Sequence, residues 1–122
     1  MMRQTGMNDA EGRRMNKVSN ETEFTSLLEQ DLFLFMKHSL TCPISLAAFS
    51  EYTRFTEIHQ DIPTAYLAVQ DARPLSNHVA DIAGIKHESP QAILFHKGKA
   101  VWNASHQQIT LEQLENAVLK YS

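Results

Sequence analysis

Apolar and polar positions follow one another in blocks that have the lengths of strands and helices. Residues 32–37 and 65–69 are nearly continuous apolar runs, as expected of strands buried on both faces of a sheet. From Pro43 to about Gln60, apolar side chains recur every three or four residues, which predicts a helix with one apolar stripe. The same spacing predicts three other helices, which are a short one over residues 21–30, one that carries Leu75, Val79 and Ile82, and a last one with Leu111, Leu114, Val118 and Tyr121.

Punctuating residues mark where these elements begin and end. Asn20 with Glu23 and Thr110 with Gln113 have the spacing of capping boxes, which start helices. Gly84 stands where a helix is expected to stop. Residues 96–99 contain a glycine and join two further apolar runs, 92–95 and 100–102, which predicts a hairpin.

The predicted order is helix, strand, helix, strand, helix, strand, strand, helix. Strand–helix–strand units need a parallel crossover, whereas the hairpin adds an antiparallel edge. We therefore predict the α/β class, with a mixed central β-sheet flanked by helices, in a single domain over residues 19–122. Residues 1–18 are polar and without periodicity, which predicts a flexible N-terminal tail, although a short strand near Lys17-Val18 is an alternative.

Composition excludes several classes of protein. A length of 122 residues with 43% hydrophobic content suits one packed core, and a net charge of −3 gives no general attraction to nucleic acid or to an anionic membrane. The first residues lack the apolar segment of a signal peptide, and no apolar run reaches the roughly 18 residues of a membrane span. A single cysteine cannot form an internal disulfide, so a reducing cytoplasm is the expected location.

That cysteine, Cys42, lies where an apolar run ends and a helix begins. Pro43 is suited to the first helical position, which makes Cys42 the N-cap residue. An N-cap side chain accepts hydrogen bonds from the amides two and three residues on, here those of Ile44 and Ser45. The positive end of the helix dipole also favours an anion, and the thiolate is the reactive form of cysteine. Lys37 and His38 could add positive charge, so we predict a reactive thiol instead of an inert buried one.

No metal site is predicted. The six histidines are spread evenly along the chain and form no Cys-x-x-Cys or His-Glu-x-x-His arrangement. We therefore expect no bound metal or cofactor.

Two stretches carry a resemblance to a known family. Residues 84–99, Gly-Ile-Lys-His-Glu-Ser-Pro-Gln-Ala-Ile-Leu-Phe-His-Lys-Gly-Lys, resemble the glycine, cis-proline, strand and glycine-turn series of thioredoxins. Lys37-His38-Ser39 followed by Thr41-Cys42-Pro43-Ile44-Ser45 resembles the monothiol bacilliredoxins of the YtxJ-like or BrxC type, which belong to the bacillithiol system. The resemblance covers roughly residues 20–122 and implies a thioredoxin-like three-layer fold.

The resemblance implies roles for individual residues. Cys42 would be the attacking thiol of a thiol–disulfide oxidoreductase, Pro90 the cis-proline that faces it, and Ser89 a source of backbone hydrogen bonds to the bound adduct. Thr41, Pro43, Ile44 and Ser45 would support the site, and the hydroxyl or amide of Ser45 would stabilise the thiolate. Lys37 would attract carboxylates of a small thiol, or it is simply a solvated lysine at a strand end.

This sequence departs from ordinary thioredoxins at three positions. Ser45 replaces the second active-site cysteine, Thr41 the tryptophan before the first, and Met36 a buried acid. The chain has no second thiol that could resolve an adduct. A buried acid that deprotonates such a second thiol is therefore not needed. The implied activity is removal of bacillithiol, or a similar low-molecular-weight thiol, from S-thiolated client proteins, and the implied setting is redox homeostasis in the stress response.

Two alternatives stay open at the level of sequence. One is an iron–sulfur cluster carrier like the monothiol glutaredoxins, although Cys-Pro-Ile-Ser differs from their usual Cys-Gly-Phe-Ser. The other is a non-catalytic thioredoxin-fold interaction domain in which Cys42 is incidental. The oligomeric state is not predicted.

Overall fold

A computed structural model of the chain describes residues 15–122, which form a five-stranded mixed sheet with helices on both faces. The strands are β1 (Met15–Lys17), β2 (Leu32–His38), β3 (Thr64–Ala68), β4 (Gln91–His96) and β5 (Lys99–Ser105). The helices are α1 (Glu21–Leu27), α2 (Pro43–Ile58), α3 (Arg73–Ala83) and α4 (Leu111–Tyr121), with a short 3-10 turn at His106–Gln108. The strand order is β1-β3-β2-β4-β5. The predicted α/β class and mixed sheet are confirmed.

The direction of each strand follows from its connection. β1, β3 and β2 are parallel neighbours, whereas β4 runs antiparallel to both β2 and β5. The parallel pair β2 and β3 is joined through helix α2, as a parallel crossover requires. The carboxyl ends of β2 and β3 therefore lie at one edge of the sheet, beside the amino end of β4.

The domain begins earlier in the chain than residue 19. Residues 15–17 form β1, which pairs with β3, and Val18 is buried in the core. The short strand considered near Lys17-Val18 is thus present and begins at Met15. Only the pairing of these residues with β3 identifies β1 as a strand, because three residues carry too little pattern to predict one. The remainder of the predicted tail, residues 1–14, lies outside the described part of the chain.

The central strand β2 divides the core into two clusters. Phe33 and Phe35 face α1 and α3, whereas Leu34 and Met36 face α2 and α4. Successive side chains of a strand point to opposite faces, so a run that is apolar at every position serves both clusters. Lys37 continues the first face and His38 continues the second, at the strand's carboxyl end.

The helix boundaries match the capping and stop residues identified in the sequence. The Asn20 side chain accepts a hydrogen bond from the Glu23 amide, and Thr110 does the same for Gln113. Gly84 ends α3 with φ +67°, a left-handed conformation that glycine adopts without steric cost. Helix α2 ends at Ile58, two residues before the predicted end.

The hairpin is also present, and its second strand is longer than predicted. β5 continues to Ser105 because its backbone pairs with β4 along the full length of that strand, from His96 to Gln91. None of the helices within residues 15–122 is long and apolar enough to cross a membrane.

Candidate active site

Cys42 is the N-cap residue of α2 and Pro43 is its first helical residue, as the sequence predicts. The side chain is partly exposed, and Cys42 is a free cysteine. Its carbonyl accepts the hydrogen bond of the Leu46 amide, which closes the first turn of the helix. The predicted hydrogen bonds from the Ile44 and Ser45 amides to the sulfur are absent, because no amide of the described residues donates to the Cys42 side chain. A thiol sulfur is a weak acceptor, so these bonds are not expected while the sulfur is protonated.

Ser45 is the third residue of α2, within its first turn, and is fully buried. Its hydroxyl oxygen accepts a hydrogen bond from the Ser39 amide at 2.8 Å and lies 2.9 Å from Nδ1 of His38. These contacts join the end of β2 to the first turn of α2. The Ser45 hydroxyl therefore supports the loop before Cys42. Its hydrogen-bond partners are His38 and Ser39 and do not include the Cys42 sulfur.

His38 is buried on the α2 side of the sheet. Its ring stacks on Phe49 with 4.2 Å between ring centroids. Burial lowers the pKa of His38 below its ordinary value, because desolvation disfavours the charged ring. The positive charge that the sequence suggested for His38 is thus absent at neutral pH, and the residue acts as a neutral hydrogen-bonding support.

Gln70 holds the loop between β2 and α2, and no sequence signal pointed to it. Its Oε1 accepts a hydrogen bond from the Leu40 amide at 3.0 Å, and its Nε2 donates to Ser39 Oγ at 3.0 Å. A longer contact of 3.5 Å joins Nε2 to Thr41 Oγ1. Gln70 comes just after β3, so the adjacent parallel strand fixes the three residues that precede Cys42.

The peptide bond between Ser89 and Pro90 is cis, as the family resemblance implies. Pro90 is buried and directly precedes β4, whose first residue, Gln91, pairs with Lys37 of β2. The Pro90 carbonyl accepts a hydrogen bond from the His106 amide, so the 3-10 turn after β5 also holds this loop. Pro90 and Cys42 consequently flank the same edge of the sheet. The Ser89 hydroxyl is buried and without a hydrogen-bond partner among the described residues.

Lys37 is completely buried, which excludes the solvated position considered from the sequence. Its ammonium lies 3.1 Å from Nδ1 of His87 in the loop before the cis bond. Burial lowers the pKa of Lys37 from 10.5 to about 8, because desolvation penalises the charged form. The side chain lies on the α3 face of the sheet, whereas α2 covers the opposite face.

His87 receives two donors at one nitrogen. The Ser76 hydroxyl of α3 lies 3.2 Å from the same Nδ1 that Lys37 contacts. An ammonium can only donate, so in this arrangement Nδ1 accepts and the ring proton is on Nε2. Burial and then the charge of Lys37 lower the pKa of His87, while Glu88 opposes and Arg73 reinforces the effect. The His87 ring is therefore neutral at neutral pH.

The surface around Cys42 is apolar. Leu40, Ile44 and Leu46 are exposed large hydrophobic residues on either side of it. A groove of about 380 Å³ starts at Pro43 and runs between α2 and the turn before α4. Such a surface suits contact with a polypeptide. Residues 15–122 contain no group of three or more histidine, cysteine or acidic residues able to hold a metal ion.

Comparison with known proteins agrees with this geometry. A family profile described as monothiol bacilliredoxin BrxC matches residues 14–114 of the chain. A solved structure described as a proposed oxidoreductase with a thioredoxin fold is 36% identical, with a TM-score of 0.81 over 88% of this chain and 96% of its own.

More distant structures are similar in fold alone. A mutant thioredoxin from Halobacterium salinarum is 18% identical, with a TM-score of 0.73 over 88% of this chain and 89% of its own. Mitochondrial thioredoxin 3 from Saccharomyces cerevisiae is 16% identical, with a TM-score of 0.72 over 91% of this chain and 99% of its own. The predicted thioredoxin-like fold is confirmed.

Proposed function

Since this chain belongs to the monothiol bacilliredoxin family, whose chemistry is thiol–disulfide redox exchange, we propose that it removes bacillithiol or a similar low-molecular-weight thiol from S-thiolated client proteins. The observation that carries the proposal is the position of the single cysteine. Cys42 is partly exposed at the start of α2, at the sheet edge where the cis bond of Pro90 also lies.

The first step is attack by the Cys42 thiolate on the small-thiol sulfur of the client's mixed disulfide. A new disulfide forms between Cys42 and the small thiol, the old sulfur–sulfur bond breaks, and the client thiolate leaves and takes a proton from water. Exchange of this kind passes through mixed disulfides and depends on the thiolate fraction and on access. The dipole of α2 gives a positive potential at the N-terminus of the helix, and this potential favours the thiolate form of Cys42.

The second step needs a thiol from outside the chain. Ser45 occupies the position of a second active-site thiol and is held by His38 and Ser39. A second free small thiol, as thiolate, attacks the adduct sulfur, releases Cys42 and leaves as the oxidised small-thiol disulfide. The reducing equivalents therefore come from the small-thiol pool or from another redox protein that clears Cys42.

The test uses a cysteine peptide carrying bacillithiol as a mixed disulfide, with release of the free peptide and the intact mass of the protein followed together. We expect one adduct on the wild-type chain and peptide release in proportion to it. The Cys42→Ser variant is expected to give neither.

A matched control moves the thiol without removing it. Ser50 is exposed on α2, away from the helix N-terminus, so Cys42→Ser with Ser50→Cys keeps one accessible thiol in a different field. We expect this double variant to release the peptide at least about tenfold more slowly, in line with the dependence of thiol reactivity on environment. Equal rates for the two thiols, or no adduct on Cys42, would refute the proposed function.

A further inference from the structure

The buried hydroxyl of Ser45 has a fixed number of hydrogen bonds to make, because it carries one proton and two lone pairs. The Ser39 amide can only donate, so at 2.8 Å it fills one lone pair. The second contact is with Nδ1 of His38 at 2.9 Å, and a ring nitrogen donates or accepts according to where the ring proton is. The direction of this one bond therefore decides where the Ser45 proton points.

Two arrangements are possible, because a neutral imidazole has one proton on one of its two nitrogens. With the proton of His38 on Nε2, Nδ1 accepts the hydroxyl proton and Ser45 is fully engaged. With the proton on Nδ1, the ring and the Ser39 amide occupy both lone pairs, so the hydroxyl proton must go to a third group. Within residues 15–122 no backbone carbonyl accepts from this hydroxyl.

The Cys42 sulfur is placed to be that third group. Cys42 is the N-cap residue of α2 and Ser45 its third residue. Side chains three positions apart are neighbours on a helix, and an N-cap side chain is directed toward the third helical residue. A thiol sulfur accepts weakly, whereas hydrogen bonds to ionised groups are about twice as strong as neutral ones. The bond from Ser45 is therefore expected when the sulfur is a thiolate and is not needed while it is protonated.

The fold holds the His38 ring in place. The ring stacks on Phe49 of α2 with 4.2 Å between centroids and meets Tyr66 of β3 edge-on at 6.5 Å. Together with Ser45, these are the groups that contact the ring from the two packed elements, and none of them is an acidic or basic residue. Lys37, its neighbour in β2, lies on the opposite face of the sheet. The ring is thus fixed without a charge that would dictate its proton.

The second ring nitrogen of His38 is able to exchange its proton. Nε2 has no hydrogen-bond partner among residues 15–122, and it is not enclosed, since the buried side-chain atoms left unpaired there belong to Ser89 and Gln91. Burial lowers the pKa of His38, so the ring carries one proton at neutral pH. Nothing in the described part of the chain fixes that proton to one nitrogen, so its place can follow the charge on the sulfur.

We propose that His38 is a positioning residue of the exchange reaction, which takes the Ser45 proton at Nδ1 when Cys42 ionises and so makes the Ser45 hydroxyl a donor to the thiolate. The thiol proton passes to Ser45 Oγ, the hydroxyl proton passes to Nδ1, and Nε2 releases a proton to water. One proton leaves and the ring stays neutral. This inference rests on the proposed exchange function and adds to it a residue that raises the thiolate fraction, on which the exchange rate depends.

The first test measures how fast iodoacetamide alkylates Cys42 over a range of pH, by intact mass. The variants are His38→Phe, which keeps an aromatic ring but has no nitrogen, Ser45→Ala, and the two together. Thr56→Val is the matched control, because it removes another buried hydroxyl at the opposite end of α2.

We expect His38→Phe to react at least about tenfold more slowly than the wild type on the acid side of the profile, the lower end of what one hydrogen bond to a charged group contributes. The rates should converge at high pH, where the thiol is ionised in every variant, and Thr56→Val should follow the wild type. In the Ser45→Ala background, His38→Phe should have no further effect, since the ring acts through the hydroxyl. A rate lowered equally at every pH, or the same effect of His38→Phe without the hydroxyl, would show a packing role only and overturn the inference.

A second measurement follows the ring itself and needs neither bacillithiol nor a client. Nitrogen-15 NMR distinguishes protonated from unprotonated ring nitrogens, so the His38 tautomer is recorded over the same pH range in the wild type and in Cys42→Ser. We expect the proton to move from Nε2 to Nδ1 as Cys42 ionises and to stay on Nε2 in Cys42→Ser. Such movement supports the inference even if the wild type releases no peptide, a result that would refute the exchange function alone. A tautomer that does not change when the thiol ionises would overturn the role of His38.

Discussion

Replacement of Lys37 by methionine is expected to stabilise the folded protein near neutral pH. Methionine has nearly the same length as lysine and no charge to desolvate. The substitution removes one donor from His87, but the Ser76 hydroxyl still contacts the same Nδ1 at 3.2 Å, so the ring keeps a partner. The fold would thus be more stable without the buried charge of Lys37.

The size of the effect follows from the pKa of Lys37. Burial lowers it from 10.5 to about 8, and that difference corresponds to about 3 kcal/mol of unfavourable free energy for the charged form. Below pH 8 the lysine is charged in both folded and unfolded chains, so the full penalty applies. Between pH 8 and 10.5 the unfolded chain binds more protons than the folded one, so wild-type stability rises with pH. Above that range the penalty is gone.

The assay is urea unfolding of wild type, Lys37→Met and Lys86→Met at several values between pH 7 and pH 10.5. We expect Lys37→Met to be about 2–3 kcal/mol more stable than wild type at pH 7, with the difference shrinking steadily toward pH 10.5. Titrations common to both chains cancel in this difference, and Lys86→Met, which removes the same charge from an exposed lysine, should follow the wild type. A difference that is independent of pH, or a destabilised Lys37→Met, would refute the account of Lys37 as a buried and uncompensated charge.

Three other predictions concern the supports of the active site. Ser45→Ala should lower the free energy of unfolding in urea by about 1–3 kcal/mol, because the Ser39 amide loses its buried acceptor. Gln70→Leu should change stability by less than about 0.5 kcal/mol, since the contacts are exposed, yet reduce kcat/KM for peptide release by loosening the loop before Cys42. Stability should decrease as the pH falls below 6.5, because the pKa of His38 is lowered by burial, and His38→Gln should reduce that loss in acid unfolding curves.

Each of these has a result that would contradict it. An unchanged midpoint for Ser45→Ala would mean that the Ser39 amide finds another acceptor. Full activity of Gln70→Leu would show that the loop is rigid without it. An acid unfolding curve of His38→Gln that overlays the wild type would assign the acid sensitivity to other groups, His87 first among them.

Local patterns in the sequence were sufficient to predict every helix and every strand except β1, and to place Cys42 at the start of a helix. Uninterrupted apolar runs indicate buried strands, and apolar residues spaced three or four apart indicate helices, because these signals come from backbone periods of a few residues. The Cys42-Pro43 pair was identified as a helix start for the same local reason, and the structure has it there. Gly84 and the caps at Asn20 and Thr110 belong to this group too.

Only the tertiary structure decided which groups surround the loop of Cys42. Lys37 looks like an ordinary charged residue at a strand end until the pairing with Gln91 and the cover by α3 show that it is buried. Its partner His87 is 50 positions away, and Gln70 is 30 positions from the amide that it holds. Sheet register and helix packing bring these groups together over such separations, and neither is recorded in the spacing of residues along the chain. The chain's local sequence thus determined where the thiol sits, whereas its long-range packing determined which charges and hydrogen bonds surround it.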